Sequence, residues 1–133
     1  MSHKSRLGCL VIDCQTDKLD EALSFWTGAF GYEASIDAED ERYAVLKTPD
    51  GEARILLQAV EHPPRVHLDL ETDDKEAEAR RLEALGARRI GPVKRWIVME
   101  APTGHRFCIV GPQRPDFEAG ATAWDDADGD DNR

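Results

Sequence analysis

The spacing of apolar positions changes several times along this chain, and each change marks an element. Residues 7–14 form a short apolar run with β-branched members, which predicts a buried strand. After a turn at Gln15-Thr16-Asp17, Leu19, Ala22, Leu23, Trp26 and Phe30 recur at steps of three and four. That is the period of an amphipathic helix, and Gly31 offers it a left-handed stop. Residues 32–36, 43–48 and 53–60 read as three further strands, with Pro49-Asp50-Gly51 turning the chain between the last two. His62-Pro63-Pro64 is a stiff connector, because proline fixes φ and lacks a donor. Beyond it the order repeats. Residues 66–71 alternate as a strand, and a helix follows in which Asp73 and Glu76 have capping-box spacing and Ala79, Leu82 and Leu85 supply the apolar stripe up to Gly86. Strands at 88–90, 96–100 and 106–110 complete the set, with Pro102-Thr103-Gly104 as the last turn.

The repetition extends to the residues. The segment from Tyr43 to Gly51 aligns without a gap on that from Trp96 to Gly104, a constant offset of 53, and Val11-Ile12-Asp13-Cys14 aligns on His67-Leu68-Asp69-Leu70 at an offset of 56. Self-similarity of this kind is expected of a duplicated supersecondary unit that cannot bury its apolar face alone. Two strand-helix-three-strand modules in an α+β fold follow, module one at 7–60, a linker at 61–64 and module two at 65–111. The expected domain is 7–115, preceded by a flexible 1–6 and followed by an acidic, disordered tail at 116–133, rich in aspartate from Asp125 onward.

Composition narrows the function. A net charge of −10 excludes the clustered lysine and arginine that nucleic acid needs, and disfavours anionic membrane surfaces. No run approaches a membrane span and residues 1–6 are polar, so the expected location is cytosolic. Cys9, Cys14 and Cys108 make neither an even disulfide set nor a CxxC pair and are expected to be reduced, small apolar fillers. No phosphate loop, nucleophile elbow or HExxH motif is present.

Several segments together carry a family resemblance: Leu23-Ser24-Phe25-Trp26 before Gly28 and Gly31, Arg65-Val66-His67-Leu68-Asp69-Leu70, Leu85-Gly86-Ala87, and Trp96 to Met99 running into Pro102-Thr103-Gly104-His105-Arg106-Phe107-Cys108. In order and spacing the chain resembles the vicinal oxygen chelate superfamily, in its glyoxalase-like branch. The resemblance implies the glyoxalase/bleomycin resistance fold, curved mixed sheets around a concave ligand cavity, and in many members a divalent metal held from the first, fourth, fifth and eighth strands. It also implies a possible homodimer.

Of the four expected ligands only His67 survives cleanly; the eighth-strand glutamate falls on Cys108, the first-strand position near Val11 and the fourth near Leu56. One histidine is not a metal site, since Zn²⁺ and its neighbours want at least three protein donors. His67 with Cys108, and with Gln58 or Asp69 after a register slip, would make an unusual one for Zn, Ni, Fe or Mn. The resemblance therefore implies a metal-free protein that binds a small organic molecule, with a metal-dependent lyase, isomerase or dioxygenase using His67 as the alternative. Alternation puts His67 and Asp69 on one strand face as a candidate catalytic pair, a base beside a carboxylate. Asp13, Gln58, His67, Trp96 and Cys108 are the candidate ligand contacts, Asp13 because it repeats Asp69. Trp26 is read as core, while His105, His3 and His62 are read as solvated.

Overall fold

A computed structural model describes residues 2–93 and 95–125. It divides the chain into two compact units, one of residues 9–67 and one of residues 1–8 with 68–133. The first strand runs through both, since β1 is Ser2–Gln15. The other elements are α1 (Asp20–Phe30), β2 (Ala34–Ile36), β3 (Tyr43–Leu46), β4 (Arg54–Val60), β5 (Arg65–Thr72), α2 (Lys75–Ala84), β6 (Arg88–Val93), β7 (Trp96–Glu100), β8 (Arg106–Val110), α3 (Phe117–Gly120) and β9 (Thr122–Asp125). The fold is α+β with a mixed sheet.

Within the unit of residues 9–67 the strands run in the order β2-β3-β4-β1. β1 and β4 are parallel, with Val11 opposite Leu56 and Asp13 opposite Gln58, while β3 and β2 join antiparallel. Leu19, Ala44, Leu46 and Leu57 form the core, against which Ile12, Cys14, Leu23 and Trp26 pack. By alternation, Val11, Asp13, Leu56, Gln58 and Tyr43 occupy the sheet face turned away from α1.

The other unit repeats this arrangement. β5 and β8 are parallel, with Asp69 opposite Cys108, and β7 and β6 follow antiparallel. Ala79, Met99, Phe107 and Ile109 form its core under α2, with Leu70 and Leu82 packed on it. Gly51 and Gly104, equivalent in the repeat, adopt φ of 87° and 89°, left-handed values that a side chain would strain.

Three expectations need correction. Residues 2–6 are not flexible: they belong to β1, where Ser2 to Ser5 pair antiparallel with β9. The segment expected as tail from residue 116 contains α3 and β9 up to Asp125, and its aspartates at 126, 128, 130 and 131 lie outside the described residues. α2 is capped by Asp74, whose side chain accepts from the Ala77 amide, while Asp73 accepts from the Lys4 amide.

Polar networks hold residues 2–6 and 113–125 in place. His3, only 2% exposed, meets Glu78 at 2.7 Å rather than water. Arg81 grips the same carboxylate with two bonds of 2.9 and 2.8 Å and lies 3.9 Å over the Trp124 ring, whose Nε1 donates to Ser5. Glu71, fully buried on β5, accepts from the Arg6 and Arg114 guanidiniums at 2.6 and 3.1 Å and from the amides of Gln113 and Arg114. Burial opposes ionisation of both carboxyls, yet the donors around them outweigh it and hold Glu71 and Glu78 below the usual carboxylate range.

Because these folded values are depressed, the stability they contribute is complete above the ordinary glutamate range and is lost as pH falls through the lowered values. The unfolding free energy from urea denaturation is expected to fall for the native chain as pH drops below the ordinary glutamate range, and for Glu71→Gln to fall less while lying lower at pH 7 by on the order of 3 kcal/mol. Gly8 sits against the same carboxylate: an added Cβ would stand 2.9 Å from Glu71 Cγ. With Glu71 pinned by its donors, Gly8→Ala is expected to cost about 1–3 kcal/mol in urea denaturation.

Candidate functional site

Asp13 is the centre of the site in the unit of residues 9–67. It lies near the end of β1, on the face away from α1, and is 2% exposed. Its Oδ2 accepts from His67 Nδ1 at 3.0 Å, with Arg65 Nε at 3.4 Å and His62 Nε2 at 3.8 Å. A carboxylate only accepts, so the proton of a neutral His67 sits on Nδ1 and the lone pair on Nε2, the polarity of a general base. The imidazole ring is 15% exposed. Asp13 Oδ1 is buried with no hydrogen-bond partner among the described residues. An orphaned buried carboxylate oxygen is costly, and functional sites are where such costs are tolerated.

Gln58, opposite Asp13 in the ladder, donates from Nε2 to the Tyr43 hydroxyl at 3.3 Å. The burial of Cys14, followed by the charge of neighbouring Asp13, raises that thiol's pKa and keeps it protonated.

The structure redistributes the residues singled out from sequence. His67 has a carboxylate partner in Asp13, bonded through Nδ1. His62 is not simply solvated, since it stands near Asp13, whereas His105 is exposed and bonded to Thr103. Trp96 opens β7 opposite Val93 of β6, half-buried. Cys108 faces Asp69 across the β5–β8 ladder and Val98 across β7–β8. Arg65 was missed as a site residue; its position two before His67, on the same strand face, is the available clue.

In the unit that holds β8, Asp69 stands opposite Cys108 across the β5–β8 ladder. Imidazole, carboxylate and thiolate suit Zn²⁺, and a histidine bonded through Nδ1 to a carboxylate is how metal ligands are commonly oriented. At the other two positions the family uses, Val11 and Leu56 pair with each other and offer no donor.

The family model described as a glyoxalase-like domain matches residues 9–110. The chain belongs to the glyoxalase-like family. Solved structures similar to it include a methylmalonyl-CoA epimerase in complex with methylmalonyl-CoA and NH4+, at 20% identity and a TM-score of 0.60, covering 82% of this chain and 95% of that one. A Streptomyces coelicolor methylmalonyl-CoA epimerase variant with 2-nitronate-propionyl-CoA gives 19%, 0.59, 82% and 98% for the same quantities. The Mycobacterium tuberculosis methylmalonyl-CoA epimerase gives 21%, 0.53, 86% and 91%. At such identities the likeness is one of fold. No curated protein matches the chain in sequence. Among the described residues no helix is long and apolar enough to cross a membrane.

The Asp13–His67 bond makes a spectroscopic prediction. In the neutral ring, ¹⁵N chemical shifts of His67 are expected to report the Nδ1–H tautomer. Asp13→Leu, which removes the acceptor, is expected to shift the ring toward Nε2–H; an unchanged tautomer would show that Asp13 does not orient it.

Proposed function

We propose that this glyoxalase-like chain binds a small organic molecule at the Asp13–His67 pair without requiring a metal. The observation carrying this reading is the 3.0 Å bond from His67 to a buried carboxylate whose second oxygen lacks a partner among the described residues. A ligand or ordered water that donates to Oδ1 would remove the desolvation cost. Gln58 and Tyr43, on the same sheet face, add polar contacts. Where the bound molecule carries an acidic C–H or O–H, His67 Nε2 takes the proton and Asp13 stabilises the resulting imidazolium, as in other carboxylate-oriented histidine bases. Apolar Val11 and Leu56 at two positions where the family holds metal support the metal-free form.

A second reading is a metal-dependent one using His67, supported by the carboxylate and thiol that Asp69 and Cys108 set side by side in the β5–β8 ladder. A zinc-class ion there would polarise a substrate oxygen. Asp13 would then act through His67 as its orienting partner, and the proton-transfer role of His67 would pass to another group.

The experiment is thermal denaturation of EDTA-treated protein against methylmalonyl-CoA and a panel of small carboxylic and hydroxy acids. A ligand at 100 times its Kd is expected to stabilise the chain by about 2.7 kcal/mol, an effect lost in His67→Ala and Asp13→Ala. Binding that appears only after Zn²⁺ is restored, and that disappears in Cys108→Ala, would replace the metal-free reading with the second.

A further inference from the structure

We propose that the aromatic face of α1 and the outer edge of β2 form a docking surface for a lysine- or arginine-bearing apolar segment of another protein. α1 has no fully buried residue. Leu23 and Trp26 cover the core beneath, while Phe25 and Phe30 remain 63% and 40% exposed and Ile36 on β2 is 39% exposed. The rings form one continuous run: Phe25 meets Trp26 edge-on at 5.0 Å, Trp26 stacks on Phe30 at 5.4 Å, and Phe30 tilts on Tyr32 at 5.8 Å. Beside them opens a groove of about 630 Å³ whose lining includes Leu23, Tyr32 and Ile36 with the carboxylates of Asp20 and Glu33. β2 ends the strand order, so no strand pairs its outer edge among the described residues.

Charge selects the occupant. Residues 17–41 hold eight carboxylates against one lysine, Lys18. Asp40 is paired with Arg42, but no ion pair to Asp20 or Glu33 occurs among the described residues; Lys47, opposite Glu33 in the β2–β3 hairpin, is the other nearby cation. The exposed rings of Phe25 and Phe30 on an acidic segment attract cationic side chains through both the field and the ring faces. A second copy of a chain with a net charge of −10 meets repulsion at this segment, and so does an anionic membrane surface. An extended partner gains backbone bonds at the free edge of β2, apolar contacts in the groove, and ion pairs at Asp20 and Glu33.

The test is fluorescence anisotropy of a labelled decapeptide of alternating lysine and leucine with the full chain, beside a glutamate–leucine decapeptide of the same length. The basic peptide is expected to bind and the acidic one not to bind. Affinity is expected to fall at least about tenfold in Phe25→Ala and in Asp20→Asn/Glu33→Gln, and to weaken as salt rises. The charge-matched control Glu83→Gln/Glu118→Gln, away from the groove, is expected to bind as the native chain does. All of these positions are exposed, and circular dichroism checks that each variant is folded. Equal loss in the control, equal binding of both peptides, or no binding would overturn the proposal. So would self-association of the native chain that Phe25→Ala abolishes, which would assign the surface to a second copy.

Discussion

The site depends on one constraint, the parallel pairing of the first and last strands of each module. Parallel ladders need a crossover and cover on their faces; here the helix supplies the cover on one side, and the opposite face is left to carry polar groups. Pairing β1 with β4 sets Asp13 beside Gln58, and pairing β5 with β8 sets Asp69 beside Cys108. Residues some 40 positions apart in sequence become neighbours because the antiparallel strands between them return the chain to the same place. A one-residue slip in either ladder would turn these side chains into the helix-packed core, so the apolar pattern that fixes the register also fixes the chemistry.

Buried charge is treated in two ways in this chain. Glu71 and Glu78 are saturated with donors, and each ties distant segments together: Glu71 joins β1, β5 and the segment after β8, and Glu78 joins α2 to the opening of β1. Removing a donor there leaves a buried charge exposed to its own desolvation cost, which makes such groups structural. Asp13 is just as buried but is satisfied at one oxygen only. A carboxylate that folding alone required would be expected to resemble Glu71. Asp13 differs from these ties in keeping one buried oxygen without a partner among the described residues.

Much of this was legible in the sequence because periodicity and repetition report on packing. The helix from Leu19 to Gly31, both strand-turn-strand segments and the shared strand face of His67 and Asp69 follow from spacings of two and three to four. The errors share a physical cause. His3, residues 2–6 and residues 116–125 are polar and read as solvated, but Glu78, Glu71, Arg81 and Arg6 hold them, partners more than 40 positions away that no local window contains. Asp13 was identified by its repeat position, yet its partner His67 lies 54 residues on, and the pair exists only once β5 runs beside β1.

Duplication also explains how the chemistry became asymmetric. Asp13 and Asp69 hold equivalent places, and the ladders make Gln58 the counterpart of Cys108. The place of His67 is filled in the first module by Val11, which is buried and pairs with Leu56. Each module keeps its own helix-packed core, so residues on the face away from the helix can differ between the two copies. One copy can then keep an apolar wall while the other carries the imidazole. The first copy's carboxylate, Asp13, is bonded to the imidazole that the second carries.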